Sequence, residues 1–165
     1  MNSAIERLLT LTVGDVMTRE QIVEISPNQT LDEAAEMMAR KRISGAPVVD
    51  ELGHCIGILS AFDFVLRRHK EHVHAGDLLS GAEHCMILDS EEDPLHVETV
   101  SNEQVRVHMT QAVQSITPDA TLIEAARTMH EKHIHRLPVL DERAHVLGII
   151  SSLDIVAALV HSIEE

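Results

Sequence analysis

The strongest constraint on this chain is that it contains one sequence twice. Residues 27–65, PNQTLDEAAEMMARKRISGAPVVDELGHCIGILSAFDFV, align without a gap at an offset of 91 with residues 118–156, PDATLIEAARTMHEKHIHRLPVLDERAHVLGIISSLDIV, and 19 of the 39 positions are identical. Upstream, Met17-Thr18 matches Met109-Thr110 after a one-residue gap. Each unit spans roughly 55–60 residues, too few to be comfortably stable alone. The two copies are therefore expected to bury their apolar faces against each other.

The same elements can be read in each copy. Thr30 with Glu33, and Thr121 with Glu124, fit a capping box, with Thr before the helix and Glu three residues on. Apolar residues at 31, 34, 35 and 38, and at 122, 125, 126 and 129, follow with the spacing of an amphipathic helix, which Ile43 and Ile134 are expected to end. Ala46–Asp50 and Leu137–Asp141 read as short buried strands with Pro at the start, where a missing N–H is tolerated. Cys55–Leu59 and Val146–Ile150 read as second strands, and Ser60 and Ser151 open final helices. Short early strands at Ile22–Ile25 and Val113–Ile116 complete the pattern. The order is β-α-β-β-α per repeat, a mixed α/β (α+β) fold.

Charge divides the chain differently. The net charge is −14, and nine acidic residues with no Lys or Arg fall between Glu71 and Val105. This sets out three parts: a first repeat at 13–70, an acidic linker or insertion at 71–104, and a second repeat at 105–162. The acidic part, including Asp89–Pro94, reads as a solvated linker. A general nucleic-acid binder needs a basic footprint, so no nucleic-acid polymer is expected as a partner. The chain has no Trp or Tyr and two Phe, which removes aromatic platforms for single strands. No apolar run reaches the roughly 18 residues of a spanning helix, and no basic-then-apolar leader opens the chain, so no membrane is expected. Two cysteines, Cys55 and Cys85, give no disulfide framework and suggest a reducing, cytoplasmic setting.

The repeated residues resemble the CBS (cystathionine β-synthase) domain, here as a tandem pair or Bateman module. The carriers are VGDVMT (13–18) and its weaker partner VRVHMT (105–110), ISGAPVVD (43–50) with IHRLPVLD (134–141), and GILSAFD (57–63) with GIISSLD (148–154). The resemblance implies two β-α-β-β-α units related by a pseudo-twofold, with two equivalent clefts between them. It also implies an adenosine-containing regulatory ligand, such as AMP, ADP, ATP or S-adenosylmethionine, and no required cofactor. Modules of this kind act as sensors for a partner and carry no reaction of their own.

Candidate site residues follow. Ser60/Asp63 and Ser151/Asp154 repeat the motif S-x-x-D, which makes a helix cap. The same position offers free N–H groups to phosphate, and in the family this Asp commonly holds the ribose. Ser44, Gly45 and Ala46 form a small, nearly neutral stretch whose Gly permits close approach. Its counterpart, Ile134, His135, Arg136 and Leu137, carries an imidazole and a guanidinium suited to phosphate. That stretch resembles the His-Arg of the γ subunit of AMP-activated kinase, where such residues face phosphates. The alternative is that Arg136 pairs with a neighbouring carboxylate. Lys41 and Arg42 could serve the first cleft, although a helix C-terminus already accounts for them. The difference between the two stretches predicts that the cleft containing Ile134–Arg136 takes phosphate more strongly. Ile22, Val23, Ile43, Ile58, Val113, Ile134 and Ile149 are candidate walls for a base.

His69, His72 and His74 repeat the spacing of His130, His133 and His135, with His84 and Cys85 following the first set. No CxxC or HExxH accompanies them, and solvated histidines are expected rather than a metal site. Nucleophile-elbow, P-loop and Rossmann patterns are also absent, so no enzyme is expected. In the last helix Leu153, Val156 and Val160 share a face, leaving Ile155 and Leu159 as apolar surface for a homodimer to cover. The leading reading is a stand-alone sensor of an adenine nucleotide, signalling to a protein partner in trans. The alternative is a ligand-free structural or protein-interaction module.

Overall fold

The computed structural model describes residues 6, 9–72 and 102–164, with side chains of residues 68–72 excepted. His74, His84, Cys85 and most of the acidic segment lie outside the described residues, as do the side chains of His69 and His72. No helix among the described residues is long and apolar enough to cross a membrane.

The first repeat contributes α1 (Val13–Val16), α2 (Leu31–Lys41), β1 (Gly45–Val49), β2 (Cys55–Ser60) and α3 (Ala61–His72). The second contributes α4 (Val105–His108), α5 (Leu122–Lys132), β3 (Arg136–Leu140), β4 (Val146–Ser151) and α6 (Ser152–Glu164). Both capping boxes form: the Thr30 and Thr121 hydroxyls accept from the backbone N–H of Glu33 and Glu124, whose carboxylates accept in return. Leu31, Ala34 and Met38, and likewise Leu122, Ala125 and Met129, turn inward. The helices stop at Lys41 and Lys132, two residues before the expected ends. Arg42 and His133 each take the left-handed conformation, with φ 53°, and turn the chain. The N–H groups of Ile43 and Ile134 then reach back to the carbonyls of Met38 and Met129, satisfying orphaned helix ends.

Each pair of strands forms an antiparallel hairpin, and the two registers match across the repeats: Pro47 faces Ile58, and Pro138 faces Ile149. Pro therefore stands in mid-strand rather than at its start. It is tolerated because Ile58 exchanges both its backbone bonds with Thr110, and Ile149 both of its with Thr18, so neither asks the proline for an N–H. The early strands shrink to single bridges, Ile25 with Val48 and Ile116 with Val139.

Those bonds show how the repeats interlock. The leading segment of each repeat packs on the other. Val13 is wholly buried with Leu11, Val16 and Met17 in the core of the second repeat, and Val105 with Met109 lies in the core of the first. Main-chain bonds follow the same crossing: Val13 N donates to Ala120 O at 2.8 Å, and Val105 N to Gln29 O at 2.9 Å. The hairpin turns also meet. His54 and His145 form an antiparallel bridge with rings stacked 5.2 Å apart, and Cys55 N donates to Ala144 O at 2.8 Å.

The last helix corrects one expectation. Ile155 and Ala158 pack on the second core, while Leu153, Val156, Leu159, Val160 and Ile163 are exposed. Leu153, Val156 and Val160 thus belong to the open face, and Ile155 to the covered one.

Two predictions follow from these contacts. A Cβ at Gly148 would lie 2.9 Å from the backbone oxygen of Thr18, whereas at Gly57 the nearest backbone oxygen, that of Thr110, is 3.2 Å away. Gly148→Ala is expected to cost about 1–3 kcal/mol by overpacking and to exceed Gly57→Ala, read from urea midpoints. Each hairpin turn is also held by an Asp. The backbone N–H of His54, then that of Leu52, draws the Asp50 carboxyl below its usual range, and His145 does the same for Asp141. Such carboxyls add stability above about pH 4 that is lost as pH falls through their lowered range. Asp141→Asn should therefore lower urea stability at neutral pH, with the gap to wild type narrowing at about pH 3.

Candidate functional site

The strand-to-helix junction of the first repeat builds one wall of a cleft. At the end of β2, Ser60 N donates to Asp63 Oδ2 at 2.7 Å and the Ser60 hydroxyl donates to the same oxygen at 2.8 Å. Ala61 N, opening α3, donates to Ser44 O at 2.9 Å, which ties the segment before β1 to the helix start. The cap engages one carboxylate oxygen. Its other oxygen, Oδ1, accepts from the Thr110 hydroxyl at 3.3 Å and retains lone-pair capacity toward the cleft. Thr110 is delivered from the second repeat by its backbone exchange with Ile58.

The opposite wall is the passage from α5 to β3. The left-handed turn at His133 places His133, Ile134, His135 and Arg136 in succession along the rim. His135 O accepts from Ser152 N at 2.9 Å, anchoring this passage to the start of α6. Among the described residues Arg136 forms no ion pair, so its charge is available to the cleft.

Between the walls lies a cavity of about 460 Å³. Ser44, Gly45, Ala46, Ser60 and Asp63 line it from the first repeat, and Ile134, His135 and Arg136 from the second. Its apolar surface includes Pro47, Ile58, Pro138 and Ile149. A volume of this size lies within the range of small-molecule sites, which pair apolar walls with a few placed polar groups. Charge is divided: Asp63 stands on one wall and Arg136, with two imidazoles, on the other.

The remaining candidates lie elsewhere. Leu137 is wholly buried in the core of the second repeat. Ser151 and Asp154 reproduce the first junction, with Ser151 N and Oγ each donating to Asp154 Oδ2 at 2.7 Å, outside this cavity. Ile22, Val23, Ile43 and Val113 do not line it. The neutral and cationic stretches, assigned from sequence to different clefts, face one cavity together. Gly45 is not demanded by crowding, since a Cβ there would lie an ordinary 3.4 Å from Leu59 O.

Sequence reasoning passed over Thr110, Ala112, Gln114 and Phe62, which also line the cavity. The duplicated Met-Thr pair was the available signal for Thr110. Among the described residues no group of three His, Cys, Asp or Glu side chains could hold a metal ion.

A paired repeat with interlocked leading segments and a cavity built by both halves defines a tandem module. The chain belongs to the CBS domain family, which matches residues 13–70 and 103–161. An uncharacterized protein of Methanocaldococcus jannaschii is 30% identical over 159 residues, covering 91% of this chain and 92% of that protein. Two solved structures share the fold. CBSX2 of Arabidopsis thaliana, crystallised with AMP, aligns with a TM-score of 0.68 at 24% identity, over 93% of this chain and 98% of that one. The CBS domain pair of protein MJ0100, in complex with 5′-methylthioadenosine and S-adenosyl-L-methionine, gives 0.68 at 20% identity, over 94% and 99%.

Proposed function

We propose that this chain is a regulatory module that binds an adenine nucleotide in the shared cleft and signals to a protein partner in trans. The observation that carries this is the cavity of about 460 Å³, where Asp63 faces Arg136, His133 and His135 across apolar walls. Asp63 Oδ1 and the Thr110 hydroxyl are suited to a ribose diol, and Arg136 to a phosphate. Ser44, Gly45, Ala46, Ser60, Ile134 and His135 complete the contacts around the ligand. The complexes of CBSX2 with AMP and of the MJ0100 pair with adenosine derivatives support an adenosine-containing ligand. The module has no reaction of its own and works in the cytoplasm.

A ligand touching both repeats biases their relation only through its differential affinity for their arrangements. Thermal shift against AMP, ADP, ATP and S-adenosylmethionine tests the reading. At a ligand concentration about a hundredfold above Kd, stabilisation of about 2.7 kcal/mol is expected in wild type, and Asp63→Ala should lose most of it. A melting temperature indifferent to every ligand would instead favour a ligand-free interaction module.

The exposed apolar faces bear on assembly. Phe62 and Val65 on α3 correspond, at the repeat offset of 91, to Leu153 and Val156 on α6, and all four are more than half exposed. A surface with this internal symmetry suits isologous pairing, and the chain forms a homodimer through it. Light scattering should give a dimer mass for wild type and a monomer mass for Leu153→Glu/Val156→Glu.

A further inference from the structure

Two of the three cationic or titratable groups on the cationic wall are imidazoles. His133 and His135 bracket Ile134 on the exposed rim beside Arg136, and all four line the one cavity. Their positions come from the backbone: the left-handed turn at His133 ends α5, and the His135 carbonyl is fixed by Ser152 N. In the first repeat the equivalent positions hold Arg42 and Ser44, so this pair of imidazoles exists only on the second repeat's side. The surrounding elements contribute His130 and Lys132 at the end of α5, Arg136 on β3, Asp63 on α3 and Asp154 on α6. Asp63 and Asp154 are each occupied at Oδ2 by their own serine caps. Among the described residues, neither His133 nor His135 forms an ion pair with a carboxylate.

We propose that His133 and His135 make phosphate recognition in this cleft proton-linked, so that a phosphate-bearing ligand is held more tightly as pH falls through the neutral range. This rests on the nucleotide reading and adds its regulation. An imidazole is a neutral acceptor or donor above neutrality and a cation below it. An anion placed between two of them favours the charged forms, and by reciprocity protonation favours the anion. Arg136 supplies a charge that does not titrate, which leaves binding above neutrality weaker but present.

The magnitude is readable. If phosphate holds each charged imidazole about tenfold better than the neutral ring, two of them tighten binding about 40-fold between about pH 8 and pH 6. Protonation of the phosphate itself, near pH 6, takes back about twofold, leaving about 20-fold, or about 3-fold if one imidazole acts.

Calorimetric titration of the full chain with AMP, at about pH 8 and pH 6, tests this. Repeating the titration at about pH 7 in two buffers of different ionisation heat counts the protons taken up, since near pH 6 the proton released by the phosphate offsets those gained by the imidazoles. Tighter binding at the lower pH with net proton uptake is expected, with adenosine, which lacks phosphate, insensitive to pH. His133→Gln/His135→Gln should flatten the AMP slope, with unliganded melting at both pH values confirming that the variant folds. AMP binding without proton uptake, or a slope unchanged in the double variant, overturns the proposal and leaves the nucleotide site standing. Failure of AMP, ADP and ATP alike to bind wild type at either pH overturns the nucleotide reading and this proposal with it.

Discussion

The structure depends on an exchange: each repeat completes the other. Thr18 trades backbone bonds with Ile149, and Thr110 trades them with Ile58. Val13 and Val105 are carried across and buried entirely in the opposite cores. Burying a valine contributes about 1.5–3 kcal/mol, and each main-chain bond about 1 kcal/mol net. More consequential is what removal would leave, since Ile58 and Ile149 would each lose both backbone partners. Neither unit has a finished sheet edge alone.

The cleft is a product of that exchange. Thr110 reaches Asp63 only because its own backbone is bonded to Ile58, and Ala112 and Gln114 follow it into the same wall. The cationic passage before β3 faces them from the second repeat. The cavity is therefore lined by both halves. The stacked His54 and His145 mark a second junction between the halves, at the hairpin turns.

Local chemistry was legible in the sequence wherever it is satisfied within a few residues. Both Thr–Glu capping boxes and both Ser–Asp junctions form from the motifs that announced them. Legibility failed where a distant partner decides. Ile22–Ile25 and Val113–Ile116 have apolar residues enough for strands, but each pairs with its hairpin at one bridge only. Periodicity could not tell which apolar stripe of α6 would be covered, because that helix is apolar nearly all round. Pro47 and Pro138 were placed at strand starts because the partner strand's bonds to Thr110 and Thr18 were invisible. Ser60, Asp63 and Arg136 were recognisable as candidate residues, but their grouping around one cavity was not.

By itself the sequence determined that two copies of one unit exist, where their capped helices and hairpin strands lie, and where the charged side chains stand beside them. These are short-range consequences of spacing, capping and charge. Only the tertiary structure decided that the leading segments cross over. It also decided that the neutral stretch 44–46 and the cationic stretch 134–136 share one cavity while Ser151 and Asp154 lie outside it. The physical reason is that half identity makes the two repeats nearly interchangeable in local preference. Which copy receives which segment is settled by long-range backbone bonds and buried contacts between residues about 50 to 130 positions apart, such as Thr110 with Ile58 and Thr18 with Ile149.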